Sequence, residues 1–335
     1  MQEKYDVVVV GGGAAGLSAA LTLARARRAV LVVDAGAPRN APAGQVHNYL
    51  AREGMPPGDL LATGRAEVVG YGGEVVTGTV TSAQPLDGQE DGGGFRVVLA
   101  DGRAVLARRL LVTTGLVDEL PDVPGVAQRW GREVLHCAYC HGWEVRDQAI
   151  GILASGPLTM HQALLFRQVS ANVTLFQHTA PALRQAEYEQ LAARGITVVD
   201  GEVAALEVTD DQLTGVRLCS GELIGCQAVV VGPRFTARAD VLASLGLEPT
   251  EQQLDGQVVG SHVPADPAGA TAVPGVWVAG NVTDLRAQVI SAAAAGVNAA
   301  AAINADLIAE DTRHAVAAHR SQRKPFPAPR RQRAG

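Results

Sequence analysis

Cysteine and lysine are both scarce in this 335-residue chain. Four cysteines cannot form the dense disulfide framework of a small secreted module, so any disulfide is expected to be catalytic rather than structural. Lysine is confined to Lys4 and Lys324 beside abundant Arg and Ala, which reads as genome composition rather than function. Excess positive charge is also missing: the net charge of -6 argues against nucleic acid as the main partner. No apolar run reaches the roughly 18 residues of a membrane span, and no signal peptide precedes the strand-like residues from Tyr5 onward. The expectation is a cytoplasmic protein with no membrane partner. The length suffices for two domains, each with its own core.

Residues 6–10 form a short β-branched run, followed directly by Gly11-Gly12-Gly13-Ala14-Ala15-Gly16. Leu17, Ala20, Leu21 and Leu23 then recur at helical spacing, and residues 29–33 read as a second strand ending in Asp34. A G-x-G-x-x-G carries meaning only in this strand–turn–helix–strand context. Gly11 permits the tight turn, Gly13 lets backbone approach a pyrophosphate, and Gly16 lets helix and strand pack closely. Asp34, about twenty residues on, is placed to accept from a ribose hydroxyl. The fingerprint alone does not choose between NAD and FAD. Near the other end, residues 276–278 form a strand running into Ala279-Gly280-Asn281, and Gln288-Val289-Ile290-Ser291 opens an Ala-rich helix expected to run to about Leu307.

The second signal is Cys137-Ala138-Tyr139-Cys140-His141. Two thiols with two residues between them can close a disulfide across one turn, and the thiolate opening that turn is stabilised by free N–H groups. A C-x-x-C can also be half of a zinc site, but zinc takes four N or S ligands. The other two cysteines, Cys219 and Cys226, are widely spaced in a β-rich stretch and read as buried small hydrophobes of a hairpin. We therefore read the pair as redox-active, with no metal. Attachment of a c-type haem fits neither the context nor the dinucleotide fingerprint.

The order Gly11 to Gly16, Asn48, Thr113-Thr114-Gly115, Cys137 to Cys140, and Ala279-Gly280-Asn281 with Gln288-Val289 resembles the low-molecular-weight thioredoxin reductase family across about residues 5–310. The resemblance implies an α/β protein of two Rossmann-like, three-layer ββα domains. It places a discontinuous FAD domain at 1–117 and 242–310 and an inserted pyridine-nucleotide-domain-like unit, bearing the cysteines, at 118–241. Residues 311–335, with Arg320, Arg323, Lys324, Arg330, Arg331 and Arg333 among prolines, read as a basic, flexible tail. It also implies non-covalent FAD, held through Gly11, Gly13, Gly16, Asp34, Asn48, Thr114, Gly115, Gly280, Asn281, Gln288 and Val289, and a homodimer. Asn281 stands where the family has an Asp that contacts the ribitol, keeping a hydrogen-bonding group without the charge.

Two departures bear on function. The inserted unit should open on a second glycine fingerprint, but after residues 150–153 the chain reads Ala154-Ser155-Gly156-Pro157, losing one glycine and one N–H. After residues 173–176, Gln177-His178-Thr179 stand where basic residues would clamp a 2′-phosphate, and only Arg184 is near. Both changes argue against efficient NAD(P)H use. Secondly, His141 follows the second cysteine where the reductases place Asp, and an imidazole can take a proton from an incoming thiol. Cys-x-x-Cys-His with an eroded nicotinamide site is similar to the FAD-dependent dithiol oxidases of the gliotoxin and holomycin pathways. The first reading is thus a dithiol oxidase of a small molecule, acting through Cys137, Cys140 and His141. The alternatives are a disulfide reductase serving a thioredoxin-like protein, fed by NAD(P)H or a protein donor, and a flavin redox sensor. His136 is a further group able to lower the pKa of Cys137, His47 borders the flavin loop, and Trp130 and Trp143 read as packing residues, with Trp143 near enough to line a pocket.

Overall fold

The computed structural model describes residues 1–86 and 93–322. Strand Lys4–Val10 lies between Val30–Asp34 and Ala104–Val112, all parallel, with Glu74–Thr77 beyond Val30–Asp34. Ala104–Val112 has two partners on its other side. Its first half pairs antiparallel with Phe95–Leu99, and Leu110 to Val112 pair with Val276–Val278. The unbroken valine run of the first strand follows from burial on both faces. Val7 and Val9 face the helices Ala14–Arg25 and Val289–Gln322, whereas Val8 and Val10 face the antiparallel strands Val80–Pro85 and Phe95–Leu99 and the segment from Ala237 to Leu247. This is a three-layer ββα unit.

A second unit repeats the plan. Five parallel strands, in the order Thr197–Val199, Val173–Phe176, Ile150–Leu153, Ala228–Val230 and Val134–Leu135, pack helices Thr159–Phe166 and Gln185–Ala193 on one face. The three-stranded sheet Val203–Thr209, Gln212–Leu218 and Leu223–Gly225 covers the other. The chain leaves the first unit through Leu116–Glu119 and returns through Arg234–Ala237, and these two strands pair antiparallel. The fold is the α/β architecture of two ββα units that the sequence predicts.

The C-terminal helix departs from the sequence reading. It continues past Leu307 to Gln322, so residues 311–322 are helical; Arg323 and the rest of the basic tail lie outside the described residues. Ion pairs hold it beyond Leu307, where Arg28 reaches Asp311 at 2.7 Å and Arg108 reaches Glu310 at 2.8 Å. From Val289 to Ser321 the helix is long and apolar enough to cross a membrane, with a window of mean hydropathy 1.3. Alanine supplies that value, and 39% of the window is buried within the protein. Small residues let it approach closely: a Cβ at Gly296 would lie 2.0 Å from the carbonyl oxygen of Ala15.

Arg109 ties this helix to the sheet. It is 3% exposed and bonds Asp306 and Glu310, each at 2.5 Å. Removing one partner of a buried pair leaves the other charge uncompensated, at a cost of about 3–5 kcal/mol. Arg109→Ala should therefore lower the unfolding free energy by a corresponding amount, as read from denaturant unfolding followed by far-UV circular dichroism, and an unfolding free energy within about 0.5 kcal/mol of wild type would contradict this role.

Candidate active site

A cavity of about 960 Å³ runs from the glycine turn at residues 11–13 to the cysteine pair. Its lining includes Gly11, Gly13, Asp34, Thr114, Gly115, Cys137, Cys140, His141, Gly280, Asn281, Gln288 and Val289. Two residues expected at the cofactor do not line it. Gly16 lies behind the turn, where a Cβ would meet the Gly11 carbonyl oxygen at 1.9 Å. Asn48, with a left-handed φ of 59°, donates its side-chain amide to the carbonyl of Tyr139 at 2.5 Å, so it braces the cysteine turn.

The glycines fit a dinucleotide by three different means. Gly11 has a φ of +106°, and a Cβ there would meet the Thr113 carbonyl oxygen at 2.5 Å, so its role is to let the turn pass the neighbouring strand. A Cβ at Gly13 would meet no protein atom within 4 Å, and the space it would take is the cavity itself. That is the position where a phosphate needs bare backbone. Asp34 accepts from Gly12 N–H at 3.2 Å and is also paired with Arg65, a residue on helix Pro57–Gly70 that no local pattern in the sequence marks. At the far end Asn281 donates its amide to the carbonyls of Asp284 (3.0 Å) and Ala287 (2.9 Å). A carboxylate could not donate those bonds, which gives a physical reason for Asn over Asp. The loop so held leads into Val289–Gln322, whose N-terminal N–H groups border the cavity.

Cys137 and Cys140 form a disulfide across a one-turn helix, with Cα atoms 5.3 Å apart. Cys137 caps the turn, its carbonyl accepting from Cys140 N–H (3.2 Å) and His141 N–H (3.1 Å). His141 ends the turn, and the Nε2 atom is sealed from solvent with no hydrogen-bond partner among the described residues. Burial lowers its pKa below 6.5; His47 pushes the same way, and Glu144 opposes. His136 behaves differently from expectation. Burial, with help from Arg39, drives its pKa down to about 4, so it is neutral near pH 7 and lends Cys137 no positive charge. It stacks on Trp130, which lines the cavity, with ring centroids 5.5 Å apart. Trp143 is 71% exposed beneath the Arg146 guanidinium and lies outside the lining. Cys226 is buried as expected, but Cys219 is exposed. Among the described residues no three His, Cys, Asp or Glu side chains gather as a metal site.

The second glycine loop is occupied by the protein's own bonds. Ala154 is 1% exposed, and Ser155 Oγ accepts from Gly232 N–H at 3.0 Å. Gln177 donates to the carbonyls of Ala180 and Pro181, His178 Nδ1 accepts from Val203 N–H, and exposed Arg184 pairs with Glu187 at 2.7 Å.

Residues 5–300 match the model of the pyridine nucleotide-disulphide oxidoreductases. The chain belongs to that family. It is similar to thioredoxin reductase sirT of Leptosphaeria maculans, at 29% identity over 92% of this chain and 95% of the relative. It is also similar to thioredoxin reductase aclD of Aspergillus oryzae, at 30% identity over 83% and 88%. Among solved structures, HlmI superimposes with a TM-score of 0.88 at 46% identity, covering 96% of this chain and 98% of that one. Within this family the chain is an FAD-dependent disulfide oxidoreductase, and the cradle at Gly13 fits that cofactor.

The glycine geometry separates binding from folding. Gly13→Ala should match the thermal stability of the FAD-free wild-type protein and lose most of its FAD, because the added methyl meets only the ligand space. Gly11→Ala should lose both, through the strained φ and the Thr113 clash. Absorbance at the flavin band per folded protein, with a thermal melt, checks both variants. A yellow, fully loaded Gly13→Ala protein would sink the placement of the phosphate.

Proposed function

We propose that this protein is a dithiol oxidase that closes a disulfide in a small-molecule substrate. The observation that carries the reading is the pairing of a complete thiol site, in which half-buried His141 with its sealed Nε2 follows the disulfide, with a second nucleotide loop whose polar side chains bond to the protein's own backbone. A nicotinamide dinucleotide needs free N–H groups and guanidinium charge there, and Ala154, Pro157, Gln177 and His178 offer neither.

In the proposed reaction His141 takes the proton of one substrate thiol. The resulting thiolate attacks Cys137 Sγ, the Cys137–Cys140 bond breaks, and Cys140 leaves as a thiolate. The second substrate thiol then displaces Cys137, handing it its proton, and the product leaves as a disulfide. The substrate has given up two electrons and two protons: the electrons sit on the cysteine pair, one proton on Cys137 and one on His141. When bound, FAD supplies the two-electron acceptor that returns the pair to the disulfide, with oxygen as the final oxidant. Cofactor contacts are assigned to Gly11, Gly13, Asp34, Thr114, Gly115, Gly280, Asn281, Gln288 and Val289, while Gly16 is reassigned to packing the helix behind the turn and Asn48 to bracing the thiol turn. The FAD domain is taken as 1–117 with 242–310, and the inserted unit as 118–241.

The second reading, a disulfide reductase acting on a thioredoxin-like protein, is favoured by the names of the relatives sirT and aclD. For either reading we assign a cytoplasmic location and a homodimer, the homodimer being supported by the exposed Val297, Ile308 and Val316 along the C-terminal helix.

The test is oxygen uptake with a dithiol such as dithiothreitol. A lowered His141 pKa keeps the imidazole neutral and able to accept a proton throughout pH 6.5–8, so the acid limb of turnover should fall below pH 6.5. His141→Ala should slow turnover by about 10²–10⁴-fold at pH 7, and the deficit should shrink toward pH ~8.5 as free thiols ionise unaided. Wild-type turnover in His141→Ala at pH 7 would remove the histidine from the mechanism.

A further inference from the structure

His47 and His141 come from loops far apart in the sequence, yet their rings meet edge to face with centroids 6.1 Å apart. His47 Nδ1 lies 2.5 Å from Glu53 Oε1, and the other Glu53 oxygen accepts from Asn48 N–H at 2.9 Å. The carboxylate is thus fixed, and His47 donates through Nδ1–H, leaving Nε2 as its basic nitrogen. That nitrogen is 3.4 Å from Glu144 Oε1, and like His141 Nε2 it is sealed from solvent without a hydrogen-bond partner among the described residues. The His47 side chain is 12% exposed and the Glu53 side chain 64%, so the line from His141 through His47 to Glu53 runs from the cavity wall to bulk water.

We propose that His47, oriented by Glu53, is the proton outlet of His141. The role rests on the dithiol-oxidase reading above. Each turnover that leaves Cys140 as a thiolate strands one proton on His141, which must release it before the next thiol arrives. His47 Nε2 receives that proton, and the charged ring, held between the Glu53 and Glu144 carboxylates, loses a proton to bulk water on its exposed Glu53 side. The charges around the pair favour one shared proton. Glu144 draws a proton toward the pair, and a charged His47 repels a second from His141. His136, the remaining titratable neighbour of His141, is neutral near pH 7. Glu53 stays ionised, because its bond to His47 holds its pKa below the usual carboxylate value, so it orients His47 and steadies the charged ring.

The experiment uses full-length, FAD-loaded protein oxidising dithiothreitol at pH 7 and low buffer concentration, with steady oxygen uptake followed and, separately, the first anaerobic turnover quenched with an alkylating agent to count free thiols on Cys137 and Cys140. His47→Gln should slow steady oxygen uptake by about tenfold or more while the first turnover, in which His141 starts neutral, stays near the wild-type rate, and added imidazole should restore much of the steady rate, since a diffusible base replaces a missing relay. Glu53→Gln should fall in the same direction by a smaller factor, and being on an exposed carboxylate it keeps the test readable should His47→Gln lose flavin. A His47→Gln protein at the wild-type steady rate, or one slowed but insensitive to imidazole, would overturn the relay and leave the dithiol-oxidase reading standing. A wild-type disulfide inert to dithiols would overturn both.

Discussion

The site depends on one close contact: the glycine turn after the first strand, pressed against Thr113 just past the end of strand Ala104–Val112. Gly11 has no room for a side chain beside the Thr113 carbonyl, and Gly16 none beside the Gly11 carbonyl. Thr113 Oγ1 then bonds the carbonyls of Val10 and Gly11 at 3.1 and 2.8 Å. The C-terminal helix closes the same corner, with Gly296 against the backbone of Ala15. Three pieces of chain distant in sequence are thereby brought to one end of the cavity, and their N–H groups remain available there because small residues hold the backbones close. Longer side chains at these positions would separate the helix from the sheet and abolish the cradle.

The opposite end of the cavity is governed by burial of titratable groups. Two histidines flank the disulfide, and both have pKa values pushed down by loss of water. The outcome differs with geometry. His136 is wedged against Trp130 and Phe235, and its own carbonyl accepts from the Gln162 amide, so it serves as a neutral packing group. His141 has a buried nitrogen with no hydrogen-bond partner among the described residues and faces the acidic Glu144 and the polar His47, which leaves it free to exchange a proton. Neutral imidazole beside a disulfide suits acceptance of a thiol proton better than the carboxylic acid that its family resemblance would place there.

Much of this was legible in the sequence, for a physical reason. Phosphate binding needs bare backbone at a turn, a disulfide across one helical turn needs two intervening residues, and a strand buried on both faces needs an unbroken β-branched run. Each requirement is met by neighbouring residues, so the glycine fingerprint, the Cys-Ala-Tyr-Cys-His stretch and the first strand could be read directly. What escaped was tertiary. The meeting of His47 with His141, the pairing of Arg65 with Asp34 and the use of the Asn48 amide on Tyr139 join loops and helices with no shared period. The continuation of the C-terminal helix to Gln322 was hidden because its ion pairs to Arg28 and Arg108 come from the other end of the chain. Cys219, exposed beyond the end of strand Gln212–Leu218, differs from Cys226 only through a turn that spacing alone did not orient.

The central claim is that electrons enter this flavoprotein from a dithiol and not from a nicotinamide. The most direct measurement is anaerobic mixing of the FAD-loaded protein with dithiothreitol and, separately, with NADPH, following the flavin absorbance. The account predicts bleaching by the dithiol and a flavin that stays oxidised with NADPH. Bleaching within a second by micromolar NADPH, with no response to the dithiol, would contradict it and make the protein a reductase.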